Sequence, residues 1–371
     1  MDFQPTQEQR DLRAGVRELL ARRYGREVLR AALDTRAGGG GPAAAGGPAA
    51  GGGPAGGPAG GAEGGAAAVV DRGLWRELGE AGFFALRLPE AAGGVGLGLA
   101  EAVLVFEEAG RALLPGPLVA THLAAGTVPG AAQGTAVVTA FDLGGTLVTH
   151  LGEADAVLGS AVPPAVLLRT GEPVRSADPL TPLHRVPAAA AAAAAGTEPP
   201  EPPERPTGPE EPTGPEEPTG QAGPEGQAAE CRDEGALLTA ALQLGSALRT
   251  LELAVRHAKE REQFGQPIGA FQAVKHLCAG MLVRAEVART AVYAAAVTAD
   301  PGEIAAAKLL ADGAAVGNAR DCLQVHGGMG FTWEADVHLH LKRAWLRAEQ
   351  WRTAGEAEEA LAADLLDTAG A

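Results

Sequence analysis

At 371 residues with 46% hydrophobic side chains, the chain is long enough for two or three domains and apolar enough to build their cores. Thirty Lys and Arg against 46 Asp and Glu leave a net charge of −16, which repels phosphate polyanions and argues against nucleic acid as a partner. Cys231, Cys278 and Cys322 are scattered and form no CxxC pair, so neither a disulfide framework nor a thiolate metal site is indicated. No basic-then-apolar leader opens the sequence and no apolar run of about 18 residues falls in a segment expected to fold, which reads as a cytoplasmic chain without membrane insertion.

In chain order, Thr6 followed three positions later by Gln9 has the form of a capping box. Leu12, Val16, Leu19 and Leu20 then recur at helical spacing, predicting an opening helix. Residues 37–67, almost entirely Gly, Ala and Pro, offer little to bury and read as a disordered insert. From Asp71 the pattern predicts a helix, a loop over Pro89 to Gly98, and a second helix ending near Pro115. The expected N-terminal helical domain covers residues 1–130.

Between about 134 and 187 the segments TAVVTAF, TLVTHL, AVLGSA and AVLLRT are short, rich in Val and Leu, and separated by Gly, Pro and Asp. They predict strands of a reduced β domain over residues 131–187. An alanine run at 188–195 and the Pro-Thr-Gly-Glu repeat at 206–220 predict a disordered linker over 188–231.

From Asp233 onward the helical signal returns, giving a C-terminal domain over 232–371. Leu237, Leu238, Ala241, Leu242, Leu248, Leu251 and Val255 mark one helix, broken at REQFGQPIG. A second runs from Phe271 to near Asp300; a third opens with Asp300 as N-cap, Pro301 at its first position and Glu303 to close a capping box. It leads into LQVHGGMGF, and a fourth helix is expected over 332–351. The fold class is therefore mainly α with a small β domain, the C-terminal part a four-helix bundle with short loops.

Three local features bear on chemistry. Arg261, where a helix ends, can grip a phosphate or carboxylate through two parallel hydrogen bonds, and Phe264 can lie flat against a ring; a solvated or helix-capping arginine and a core phenylalanine remain the alternative. Gly327, Gly328 and Gly330 lack Cβ, so a cofactor or neighbouring chain can come close to the backbone there, unless the segment is simply an interhelical turn. His338 and His340 stand two apart on a helix and point in different directions, so no shared metal is expected. Trp345 and Trp351 are expected to pack inside the bundle.

Residues 259–276 (KEREQFGQPIGAFQAVKH), 323–334 (LQVHGGMGFTWE), and the N-terminal runs LWRELGEAGFFALRLPEAAGGVGLG and EEAGRALLPGPL together resemble the acyl-CoA dehydrogenase family. The resemblance is collinear and covers roughly 1–36, 71–125 and 233–351. It implies an FAD enzyme that oxidises the Cα–Cβ bond of an acyl-CoA thioester to the trans-2-enoyl-CoA and passes electrons to electron-transfer flavoprotein. By the same resemblance Arg261 and Phe264, with Gln272 nearby, fall where the family contacts the FAD pyrophosphate and adenosine. Gln324, Gly327 and Gly328 fall where a neighbouring subunit's glycine turn meets the dinucleotide, which implies a homo- or hetero-oligomer, dimer or tetramer.

The sequence departs from the family at the catalytic base. The usual glutamate lies about twenty residues beyond the aromatic that follows the glycine turn; here that place holds Trp351, which cannot take a proton, and Glu349 two positions away faces elsewhere. The other family location for a base, at the start of the first C-terminal helix, aligns with Gly235; a shift of one residue would supply Glu234, although Asp233 and Glu234 also read as first-turn acids complementing the helix dipole. The middle segment lacks the family's Thr-Glu-Pro and Gly-x-Lys-x-Trp-x-(Ser/Thr) elements. QVHGGMGFTWEADVHLHLKRA resembles the branch built as α₂β₂ heterotetramers for steroid side-chain degradation. Two alternatives follow: a non-catalytic partner subunit of a heteromeric acyl-CoA dehydrogenase, or a flavin-free structural protein.

Overall fold

A computed structural model describes residues 5–37, 69–194 and 224–370. The Gly/Ala/Pro insert expected at 37–67 lies outside these residues except for its first, which ends a helix.

Two helices open the chain, α1 (Gln7–Arg23) and α2 (Arg26–Ala37), and α1 starts on the expected box: the Thr6 hydroxyl accepts from the Gln9 N–H while the Gln9 side chain accepts from the Thr6 N–H. Next come α3 (Arg72–Glu80), α4 (Leu99–Arg111) and the short α5 (Leu118–Leu123). The first strands are β1 (Val138–Thr139), β2 (Leu147–Thr149) and β3 (Ala156–Val157), followed by α6 (Pro164–Thr170), β4 (Glu172–Val174), β5 (Leu183–Arg185) and α7 (Ala188–Ala194). The C-terminal part holds α8 (Pro224–Glu260), the hairpin β6 (Glu262–Gln263) and β7 (Gln266–Pro267), then α9 (Gln272–Thr298), α10 (Pro301–His326), α11 (Val337–Ala348) and α12 (Ala354–Gly370).

The middle section is slight. β1 pairs in parallel with β3, and β5 lies between β2 and β4 in an antiparallel sheet of three short strands. The segment AVLLRT, expected as a strand, is α6: Pro164 sits at the first helical position with φ preset for a helix, and only Leu167 of the segment is buried to the core. The expected linker over 188–231 also changes. Residues 188–194 are helical because alanine is the strongest helix former, and Ala191 and Ala194, one turn apart, pack against Val148, Leu151, Leu167 and Val186. At the other end, α8 already begins at Pro224, so Asp233 and Glu234 are interior helix residues, and the reading of them as first-turn acids is lost.

The expected four-helix bundle is α8 to α11, with α12 added against α10. The fourth helix stops at Ala348 rather than 351, because Trp351 takes a left-handed conformation (φ 63°) and α12 restarts on a second capping box: Thr353 accepts from the Glu356 N–H, and Glu356 accepts from the Thr353 N–H.

One core joins the N-terminal helices to the bundle. Trp75, Phe84, Phe106 and Leu114 pack in the same cluster as Leu237, Leu244, Val292 and Trp351. At its centre α4 crosses α8 with backbones touching, since a Cβ at Gly110 would overlap the carbonyl of Leu242 and one at Gly245 the carbonyl of Glu107. Beside that crossing Glu107 and Glu108 are buried but answered by Arg13 and Arg17 of α1, by Arg111, and by the Tyr293 hydroxyl, which fixes α1 on α4 and α9.

Candidate functional site

The sequence-predicted binding residues collect at one end of the bundle. α8 runs out at Glu260; the Arg261 N–H donates to His257 O (2.8 Å), and Arg261 O accepts from the Ile268 N–H (2.8 Å), closing the base of the β6–β7 hairpin. Its tip is Phe264-Gly265, with φ of 54° and 76°, the two positive values a two-residue type I′ hairpin requires. Glycine takes this conformation freely, but a phenylalanine there is strained. Packing does not account for it: Phe264 is 92% exposed, its ring set perpendicular to that of Phe271 with centroids 6.0 Å apart. The Arg261 side chain is exposed, and Gln272, also exposed, opens α9.

α10 ends at His326, and residues 327–331 form a single 3-10 turn. Gly327 turns the chain with φ 61°; around both Gly327 and Gly328 a Cβ would meet nothing within 4 Å, so their backbone faces open space, with Gln324 exposed on the last helical turn. In the structure both elements sit side by side on one chain: the His257 and His326 rings stack at 4.1 Å, and Ile268 packs into the same cluster as Leu323 and Val325. Burial holds the His257 pKa below the ordinary imidazole range, with His326 and the Arg261 charge adding to it. An exposed cation, an exposed ring and side-chain-free amides fit the pyrophosphate and adenosine of a dinucleotide.

The opposite face of the bundle, toward the middle section, is closed. Trp351 lies over Gly235, where a Cβ would fall inside contact distance of three indole carbons, the farthest at 2.9 Å. Straps hold it there: Arg232 Nε donates to Trp351 O (2.7 Å), Arg352 pairs with Asp233 (2.5 Å), and Gln350 Nε2 donates to Asp142 Oδ2 (2.6 Å). The remaining cavity, lined by Asp142, Thr149, His150, Arg343, Gln350 and Trp351 among others, measures about 30 Å³, room for water but not for a ring system. Burial pushes the Asp142 carboxyl up to about 7, against the hydrogen bond from Gln350, and its Oδ1 has no partner. Glu234 is engaged elsewhere: Arg87 pairs with it and His122 Nε2 stands at 3.7 Å. Burial alone would raise its pKa, but nearby His122 and the hydrogen-bonded Arg87 guanidinium outweigh burial and lower it, the wrong direction for a base. Glu349 is exposed at the end of α11.

Other groups were not foreseen. Asp178 and Arg343 form a buried ion pair, Arg343 also reaching Leu114 O (3.2 Å), and Lys308 pairs with Asp312 and caps the end of α11 through Arg347 O (3.1 Å). Leu339, Arg343 and Arg347 at i, i+4, i+8 are all buried, a stripe that was readable as an inward face. His338 and His340 are buried as well, His340 hydrogen-bonded to Ser246 (2.8 Å), and among the described residues no group of three or more metal-ligating side chains occurs. Trp351 packs as expected; Trp345 does not, being 43% exposed. No helix among the described residues is long and apolar enough to cross a membrane.

The helical N-terminal section, slight β section and C-terminal bundle define an acyl-CoA dehydrogenase fold. The family model for the acyl-CoA dehydrogenase C-terminal domain matches residues 226–359 and that for the N-terminal domain residues 61–139. Acyl-CoA dehydrogenase IpdE2 of Mycobacterium tuberculosis is 34% identical over 75% of this chain and 83% of its own length. Among solved structures, the ChsE4-ChsE5 complex from Mycobacterium tuberculosis aligns with a TM-score of 0.71 at 22% identity, covering 99% of both chains. The Tcur3481-Tcur3483 steroid ACAD aligns with a TM-score of 0.68 at 21% identity, covering 98% of this chain and 99% of that one. The chain belongs to the acyl-CoA dehydrogenase family, and is thus an oxidoreductase of acyl-CoA dehydrogenase type.

Proposed function

We propose that this chain works in a heteromeric FAD-dependent acyl-CoA dehydrogenase that introduces the α,β double bond into an acyl-CoA thioester and delivers electrons to electron-transfer flavoprotein. Within it, the chain grips the FAD dinucleotide while a partner subunit supplies the base. The observation that carries this division is Trp351 seated on Gly235: the two places where the family resemblance puts a carboxylate hold an indole and a glycine pressed together. The residues that would hold the cofactor are Arg261 on the pyrophosphate, Phe264 against the adenosine, Gln272 and Gln324 at the edges, and the open amides of Gly327 and Gly328. Bound FAD supplies the acceptor for the hydride leaving the β-carbon. Removal of the α-proton needs a carboxylate poised near neutral pH beside the thioester, and loss of such a base costs about 10²- to 10⁴-fold in rate.

Support for a paired assembly also comes from the ChsE4-ChsE5 complex and the Tcur3481-Tcur3483 steroid ACAD, each described by two chains. The latter favours a steroid-derived acyl group. The test is a ferrocenium-coupled assay on a panel of acyl-CoA thioesters, with the chain purified alone and co-expressed with sibling acyl-CoA dehydrogenase chains. The expected result is negligible turnover alone and turnover with a flavin band near 450 nm in the co-purified complex. Full turnover by the chain alone would overturn the division of labour.

A further inference from the structure

The α1–α2 corner stands off the C-terminal half of α8 and leaves a groove of about 430 Å³, inside the range of small-molecule sites and on neither face of the site described above. Its floor is apolar: Leu20 and Leu113 are 2% exposed, Leu29 is buried, and Leu253 is half-buried. Its rim is cationic. Arg17, Arg26, Arg111, Arg249 and Arg256 line it against only two acids, Glu108 and Asp336, a local excess of positive charge in a chain of net −16. Both acids are already committed, Glu108 to Arg13, Arg17 and Arg111, and Asp336 to Arg26 and Arg30.

Two of the arginines are available to a ligand. Arg256 is exposed and has no acidic partner among the described residues. Arg249 reaches Glu252 only at 3.3 Å, a carboxylate that Arg111 already holds at 2.7 and 2.9 Å. Arg249, Leu253 and Arg256 stand at i, i+4 and i+7 on α8, so one stripe presents cation, apolar body and cation to the groove. His340 at the rear wall is hydrogen-bonded to Ser246, and burial drives its pKa down to about 3, so it adds no charge.

We infer that this groove is a binding site for an amphipathic carboxylate, an alkyl or fused-ring acid whose body lies on the leucines and whose carboxylate is forked by Arg249 and Arg256. Calorimetric titration of the full chain with dodecanoate, below its micelle concentration, tests it. The expected result is saturable one-to-one binding, weakened at least tenfold in R249A/R256A and in R256A alone by a smaller factor, and weakened similarly when dodecanol replaces the acid. Arg256 is exposed and Arg249 half-buried, so unchanged melting temperatures will show that the variants are folded. Adenosine 3′,5′-bisphosphate is the competing probe: displacement of dodecanoate by it at equal affinity would mean that the arginines read a phosphate rather than an amphipathic acid and would overturn the proposal. So would the absence of saturable binding, or equal affinity in wild type and R256A.

Discussion

The indole of Trp351 rests on the Cα of Gly235, a position that only a side-chain-free residue can hold without moving it. A side chain at 235 would displace the indole, and the left-handed backbone at 351 (φ 63°) is held by the bond from Arg232 to Trp351 O. Gly235→Ala should therefore destabilise the chain by about 1–3 kcal/mol through overpacking, and Trp351→Ala by about 3–5 kcal/mol through the cavity left behind. In the double variant the added methyl occupies part of that cavity, so the two losses should fall short of additive. Urea denaturation reads all three; strict additivity would mean the two residues are not in contact.

Arg261→Ala tests the dinucleotide grip. Loss of a charge-assisted hydrogen bond predicts FAD retention weaker by about 1.5–3 kcal/mol, with thermal stability of the protein little changed because Arg261 is exposed. Flavin titration of the purified assembly measures it, and an unchanged dissociation constant would remove Arg261 from the site.

Asp142 gives a pH signature. Its folded pKa of about 7 lies above the ordinary 3.8, so the fold favours the protonated form: its contribution to stability is intact below pH 3.8 and is lost as pH rises toward 7. Asp142→Asn keeps an acceptor for Gln350 without the charge. The variant should be more stable than wild type at pH 8, with the advantage shrinking as pH falls to 4, read by melting temperature across that range. A difference independent of pH would show that Asp142 ionises as freely in the fold as outside it.

The Asp178–Arg343 pair clamps the middle section to α11 in a site closed to water. Arg343→Met should cost about 3–5 kcal/mol by leaving the buried Asp178 carboxylate without its counter-charge, held among the described residues only by Thr181 and the Leu180 N–H, and Asp178→Leu/Arg343→Met should cost less than that single change. Chemical denaturation of the single and double variants decides; equal losses would mean the charge left behind is reached by solvent.

The candidate site was partly legible before folding. REQFGQPIG and HGGMG each carried a turn glycine, Gly265 and Gly327, at positive φ, so both turns could be located, whereas the positive φ of Phe264 beside Gly265 could not be read from its residue type. That they adjoin on one chain could not be read, because it depends on a ring stack between His257 and His326, 69 positions apart. Trp351 and Gly235 were each noted as departures from the family pattern, yet their contact depends on α8 beginning nine residues before the expected Asp233 and on the break before α12. Glu234 kept an open role in the sequence because Arg87 and His122, its partners, come from another section of the chain.

The sequence by itself determined the local grammar: the capping box of Thr6 and Gln9, the N-cap at Asp300, the glycine turns, the apolar stripes and, through them, the family. These depend on neighbours within a few positions, where geometry follows directly from residue type. Tertiary structure alone decided which carboxylates are tied into ion pairs, that the indole shuts one face of the bundle, and that a group of arginines gathers over leucines. Burial and pairing across distant segments set those outcomes, since a charge's behaviour belongs to its surroundings rather than to its place in the chain.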